Sequence, residues 1–179
     1  MPSMTLTPAP APTHASSGLL ELLTRSTSRF IAVCQKIPYS LVALLARFSI
    51  AAVFWTSAQT KVQGLVINLI EGEFHLGWPR LSDSAAALFR DEYKLPLLPP
   101  ELAAVLAATA EHSLALLILF GLATRFSALG LLVMTLVIQV LVYPGAYAMH
   151  GTWAALLLML LTQGPGVFSL DHLVAHRKT

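Results

Sequence analysis

The chain has 179 residues, of which 56% are apolar and 11% charged, and its mean hydropathy is +0.71. A soluble domain carries roughly 25% charged residues, and a fold this small leaves much of its surface in water, so the composition excludes an ordinary soluble enzyme, a disordered chain, a coiled coil and collagen. A net charge of +2 excludes an electrostatic nucleic-acid binder, and the single cysteine, Cys34, excludes an internal disulfide and a Cys-x-x-Cys redox pair.

Met1 to Ser17 contains four prolines and no Asp, Glu, Lys or Arg. It reads as a disordered leader (1–17); with no basic residue ahead of an early apolar core, it does not read as a secretory signal. From Gly18 to Ile37, the residues Leu19, Leu22, Leu23, Phe30, Val33 and Ile37 recur at helical spacing, with Arg25, Arg29 and Lys36 among the polar positions. That pattern predicts an amphipathic arm (18–37) lying on an anionic membrane face.

Four apolar runs follow, each close to the ~20 residues that cross a ~30 Å hydrocarbon core. They are Tyr39 to Ala58, entered after Pro38; Leu102 to Ala123, announced by Pro99-Pro100-Glu101; Phe126 to Tyr143; and Ala146 to Gln163, stopped by Gly164-Pro165-Gly166. The expected fold class is all-α: an integral membrane four-helix bundle spanning 38–172, followed by a cytoplasmic tail (173–179). Between the first two runs, Val62 to Ile70 is expected to extend the first helix. Glu71 to Arg80 is expected to turn, and Ser82 to Tyr93 to form a short helix capped at Ser82 or Asp83, making an external cap.

Lys and Arg orient the bundle. Arg25, Arg29, Lys36, Arg125, Arg177 and Lys178 fall on one side; Lys61, Arg80, Arg90 and Lys94 fall on the other, diluted by five acids. Both termini are expected in the cytoplasm.

Three segments carry a resemblance. The first run reads Arg47-Phe48-Ser49-Ile50-Ala51-Ala52-Val53-Phe54-Trp55, followed by Lys61. The second run ends Leu119-Phe120-Gly121-Leu122-Ala123-Thr124-Arg125. The chain after the fourth reads Gly164-Pro165-Gly166-Val167-Phe168-Ser169-Leu170-Asp171. From Ala43 to His172 the chain resembles the DoxX family of small bacterial membrane proteins. Lys61, Arg125, Gly164, Pro165, Gly166, Ser169 and Asp171 stand at the positions that carry the likeness. The resemblance implies a four-helix bundle in the bacterial inner membrane. It also implies an association with redox systems, as a membrane subunit of thiosulfate:quinone oxidoreductase or a partner in oxidative and thiol-stress complexes. Other relatives are encoded beside enzymes that modify small metal-binding peptides.

Arg47 lies about eight residues into the first run and Glu111 about ten into the second, which runs the other way. At ~1.5 Å per residue the two come to nearly the same depth, and opposite charges at mid-membrane are expected to pair. The pair fixes helix register, or forms a polar floor for a ligand. His112 reads as a satisfied bundle histidine, with Thr135 or Gln139 as candidate partners, or as a haem or metal ligand. A lateral pocket between the first three spans, lined by Trp55, Glu111, His112 and Gln139, is the candidate ligand site. Quinone is the candidate occupant. Haem is disfavoured, because His150 lies roughly 10 Å shallower than His112 and cannot supply a second axial imidazole.

At the outer end, Glu71, Glu73, His75, Trp78, Tyr143, Tyr147, Met149, His150 and Trp153 gather. His75, Met149 and His150 are weak metal candidates, since no ligand spacing organises them and aromatics form an interfacial belt in any case. At the inner end, Arg125 and Asp171 are either an interfacial ion pair or a topology-setting arginine and a helix-start aspartate, and Ser169 is expected to cap a helix from Leu170 to His176. No nucleotide loop or nucleophile–base set is present. Catalysis by this chain is therefore left open, and any activity would be that of a subunit of a quinone-linked oxidoreductase. The readings carried forward are three: a membrane subunit or anchor of a redox, thiol-stress or metal-handling system with protein partners, a non-catalytic assembly protein, and a small-molecule transporter. Homo-oligomerisation is left open.

Overall fold

The computed structural model describes residues 14–68 and 72–177. Most of the expected leader, together with Glu71 and Lys178, lies outside the described residues. The chain divides into two compact units, Met1–Pro38 and Tyr39–Thr179. The first contains helix α1 (His14–Cys34), which begins four residues before the expected arm and so takes in the end of the expected leader.

The second unit is built on four spans: α2 (Tyr39–Gln59), α4 (Pro100–Phe120), α5 (Thr124–Val137) and α6 (Tyr147–Gln163). A π-helical turn, Ile138–Val142, lengthens α5, and a 3-10 turn, Pro144–Ala146, leads into α6. All four segments are long and apolar enough to cross a membrane. Helix α2 packs on α4 and α6, and α5 packs on the same two, closing a ring. The core is made of Ala43, Ala46, Ile50, Ala51, Phe54, Ala115, Ile118, Ala128, Leu131, Leu157 and Leu160. Alanines dominate the α2–α4 seam because small side chains let helix backbones approach closely, and close packing is what associates helices in a hydrocarbon solvent.

The chain between α2 and α4 corrects one expectation. Val62 to Ile70 does not continue α2. Strand β1 (Val62–Asn68) pairs antiparallel with β2 (Glu73–Leu81), the strand standing where a turn was expected. Gly64, at φ +86°, breaks the helix, and β-branched Val62, Val66 and Ile67 favour the strand. Gly64 also sits so close to the facing strand that a Cβ there would lie 2.5 Å from the Trp78 carbonyl oxygen. After β2, α3 (Asp83–Leu88) begins as expected at Ser82, whose Oγ accepts from the Ala85 N–H at 3.1 Å. A π turn, Phe89–Tyr93, completes this cap.

At the opposite end of the bundle, the chain reversals are clasped together. Helix α5 starts from Ala123, which has φ +48° and no side chain that can cap. Asp171 supplies the cap from the far end of the chain. Its carboxylate accepts from the N–H groups of Ala123 (2.7 Å) and Thr124 (2.9 Å), and its own N–H donates to Gly121 O at 2.9 Å. Bare N–H groups at a helix start, where the dipole is positive, favour a carboxylate there. Asp171 opens α7 (Leu170–His176), which Ser169 caps by accepting from the His172 N–H. Arg47 of α2 donates to Leu119 O at 3.3 Å and to Phe168 O, and Tyr39 Oη donates to Gly164 O at 2.6 Å. Of the two readings of Arg125 and Asp171, the ion pair does not form, because Asp171 is spent on the backbone of α5 and Arg125 donates to Thr162 O.

Gly121 is central to this clasp. Its φ is +67°, and a Cβ there would collide with the Arg47 guanidinium and lie 2.6 Å from Ser169 Cβ. Gly121→Ala is expected to destabilise the protein by about 2 kcal/mol or more, through backbone strain and displacement of Arg47. Gly151→Ala, inside α6 with nothing within 4 Å of the added Cβ, is expected to stabilise it by about 0.5 kcal/mol. Thermal unfolding of the two variants in one detergent checks the opposite signs.

Candidate functional site

Lys61 lies just beyond the end of α2, and its side chain turns back into the bundle. Its Nζ donates to both oxygens of Glu111, at 3.1 and 2.8 Å, and to Ser57 O and Oγ, at 3.0 and 2.9 Å. Ser57 Oγ donates in turn to Glu111 at 3.2 Å. Lys61 is 6% exposed and Glu111 2%, so this is a desolvated ion pair with its hydrogen bonds filled.

The pairing corrects the expectation that Arg47 meets Glu111. Helices α2 and α4 are staggered, and Glu111 comes level with Ser57, ten residues or ~15 Å along α2 from Arg47. Side chains on a helix lean toward its N-terminus, and α2 and α4 are antiparallel. Arg47 therefore leans toward the clasp and Glu111 toward the cap.

The pair lies on the wall of a cavity of about 190 Å³ in the cap half of the bundle. Phe54, Met134, Ile138 and Trp153 give it an apolar lining, while Ser57, Lys61, Glu111 and His150 supply the polar groups. Its volume exceeds the ~150 Å³ that admits a benzene ring in an engineered apolar cavity. Phe89, Tyr93 and Tyr143 line its cap side. Tyr143 Oη donates to Glu92 at 2.7 Å, and the Tyr143 ring meets Tyr93 edge-on at 5.7 Å, so this contact holds the cap to the end of α5. The neighbouring Tyr93 and the Glu92 carboxylate push the Tyr143 phenol above the ordinary tyrosine range.

The expected lateral pocket is divided. Trp55 and His112 stand together, ring centroids 5.1 Å apart, on a separate groove on the hairpin side. Gln139 is elsewhere, bonded to His150 and Pro144. His112 bonds neither Thr135 nor Gln139; its partners are the Ala108 carbonyl (2.8 Å) and Gln59 (2.9 Å). Thr135 Oγ1 is turned back on its own helix, donating to Leu131 O.

The hydrogen bonds assign both histidine tautomers. A carbonyl only accepts, so His112 carries its proton on Nδ1 and its Nε2 accepts from the Gln59 amide. Gln59 Oε1 accepts from the Ile67 N–H at 2.9 Å, which fixes the same amide orientation. His112 is thus a satisfied joint between α4, α2 and β1. For His150, Gln139 Nε2 donates to Pro144 O at 2.7 Å, so Gln139 Oε1 faces His150 Nδ1 at 2.7 Å and that nitrogen carries the proton. His150 Nε2 is left as an acceptor, with no hydrogen bond among the described residues, on a side chain that lines the cavity.

Among the described residues no group of three or more His, Cys, Asp and Glu converges as a metal site. His75 stands on exposed β2, whereas Met149 and His150 line the cavity. The residues that sequence reasoning missed are Lys61, as the partner of Glu111, and Ser57; the signal for Lys61 was a single cation just past a span, within lysine reach of its last turn.

Four long apolar helices in a closed ring, with a desolvated ion pair and cavity in one half, define a multi-pass membrane protein of the four-helix type. The DoxX family model matches residues 42–144, more than half of the chain, and the protein belongs to the DoxX family. The match takes in Arg47, Lys61, Glu111 and Arg125; the fourth span and the Gly164–Asp171 segment lie beyond it. No curated protein and no solved structure matches the chain.

Breaking a buried pair by removing one partner costs about 3–5 kcal/mol, because the other charge is stranded. Lys61→Met and Glu111→Leu are each expected to lower the thermal midpoint sharply, and the double variant to lose much less than their sum. Arg47→Met combined with Glu111→Leu is expected to be additive, since the two residues share no partner. Additive losses for Lys61 with Glu111 would contradict the pairing.

Proposed function

We propose that this DoxX protein is the membrane subunit of a redox system and that its cavity takes the head group of a quinone. The observation that carries the reading is the placement of the Lys61–Glu111 pair and His150 on the wall of an otherwise apolar cavity large enough for one aromatic ring. Ligand sites of this kind are apolar, with a few polar groups that fix orientation. Lys61, whose N–H groups are taken by Glu111 and Ser57, sets a fixed positive charge on the wall that attracts a quinone carbonyl oxygen. His150 Nε2 supplies an acceptor for a quinol hydroxyl, and Gln139 holds it in that tautomer. The chain has no resident redox centre in this reading. A partner enzyme delivers two electrons, and two protons complete the conversion of quinone to quinol.

In the same reading the protein sits in the bacterial inner membrane with both termini in the cytoplasm, on the strength of the Lys and Arg asymmetry. The basic α1, carrying Arg25 and Arg29, is then on the side where a soluble partner would dock.

A short-tailed quinone is expected to raise the thermal midpoint of the purified full-length protein, because a ligand stabilises the state it binds. The rise is expected to shrink in His150→Ala and in the Lys61→Met, Glu111→Leu double variant, and to persist in His112→Ala, whose side chain lies outside the cavity. Absence of a shift with either a benzoquinone or a naphthoquinone, while a soluble partner is still retained on pull-down, would replace this reading with a purely anchoring role.

A further inference from the structure

A second hollow, about 440 Å³, runs along the flank of α4 beneath the hairpin. Its α4 wall is made by Val105, Ala108, Thr109, His112, Ser113 and Leu116, a single helical stripe that extends ~16 Å from the cap end toward the clasp. Val105 is 46% exposed and Leu116 40%, on a spanning helix, so the groove opens sideways into the hydrocarbon.

Three of the polar side chains on its wall are already engaged. His112 is bonded at both nitrogens, Trp55 Nε1 donates to Ile67 O at 3.1 Å, and Ser113 Oγ donates to Thr109 O at 2.8 Å. What remains along the stripe is apolar surface and the exposed Thr109 hydroxyl. At the rim, on β2, stands Arg80. Its side chain is exposed and makes no hydrogen bond or ion pair among the described residues. Arg80 pairs in register with Gln63, four residues past the end of α2, which places this cation where the span leaves the hydrocarbon. Trp78, two residues earlier on the same strand, is 83% exposed, as an interfacial anchor is.

We propose that the groove holds an acyl chain of an anionic phospholipid whose phosphate is bound by Arg80. An apolar channel continuous with the lipid-facing surface takes the chain. A guanidinium at head-group level takes the phosphate, for which its planar fork of donors is suited. The site is separate from the interior cavity and stands whether or not that cavity binds quinone.

Delipidated full-length protein, melted in a neutral detergent with added phosphatidylglycerol, phosphatidylcholine or inorganic phosphate, tests this. Phosphatidylglycerol is expected to raise the midpoint by about 5 °C more than phosphatidylcholine, and inorganic phosphate to leave it unchanged. Arg80→Gln is expected to abolish that excess, and Thr109→Trp, which fills the groove, to reduce it. The Arg25→Gln, Arg29→Gln double variant is expected to keep it. Equal protection by the two lipids, protection by phosphate alone, or an excess that survives Arg80→Gln would overturn the proposal. Should a variant melt too early to compare, native mass spectrometry replaces melting. The wild type is expected to retain one phosphatidylglycerol that the Arg80→Gln protein loses, and equal retention would overturn the proposal.

Discussion

A cation inside a membrane bundle persists only where acceptors meet it: Arg47 meets backbone carbonyls, and Lys61 meets the carboxylate of Glu111. The encounter sets much of what surrounds it. Lys61 is reached as α2 ends at Gln59, so the chain must turn there, and Gly64 in β1 gives the turn a route. The Lys61 carbonyl accepts from the Ser82 N–H at 2.9 Å, which returns the hairpin to the same point and starts α3 from its cap residue. Glu111 is held level with the last turn of α2, and that stagger fixes where the cap lies over the bundle. Charge, helix stagger and cap position are consequences of one desolvated contact.

The two ends of the bundle are built on different chemistry. At the clasp, polar side chains are spent on backbone groups: Asp171 on Ala123 and Thr124, Arg47 on Leu119 and Phe168, Tyr39 on Gly164. Side chains tied to main chain hold helix ends in register, although Arg47 Nε and Thr124 Oγ1 stay buried there without a hydrogen bond among the described residues. At the cap half, Lys61, Glu111 and Ser57 bond one another across the α2–α4 seam, and His150 is oriented by Gln139. The spaces are also there, one inside the ring and one on its flank. Rigidity at one end and cavities at the other suit a membrane subunit whose ligand chemistry is confined to a single half.

The four spans were legible in the sequence because a run of ~20 apolar residues has few alternatives in a bilayer. The caps at Ser82 and Ser169 were legible because each hydroxyl immediately precedes its helix. The hairpin was not: Val62 to Asn68 is apolar enough to continue a helix, and the decisive signal was Gly64 rather than the hydrophobic pattern. Depth arithmetic failed for Arg47 and Glu111 because it assumed spans in matched register and ignored the lean of helical side chains toward the N-terminus. The same failure scattered the expected pocket, sending Trp55 and His112 to the flank and Gln139 to His150. Of the two readings of Asp171, ion-pair partner of Arg125 or helix-start aspartate, the second holds, and its carboxylate also takes the uncapped N–H groups of Ala123 and Thr124.

The direct measurement of the central contact is solid-state NMR of the full-length protein in lipid bilayers, with ¹⁵N-labelled lysine and arginine and ¹³C-labelled glutamate. The structure predicts a through-space coupling between Lys61 Nζ and Glu111 Cδ that disappears in Lys61→Met, with no coupling from Glu111 to the Arg47 guanidinium. A Glu111 signal coupled to Arg47, or to neither cation, would contradict it.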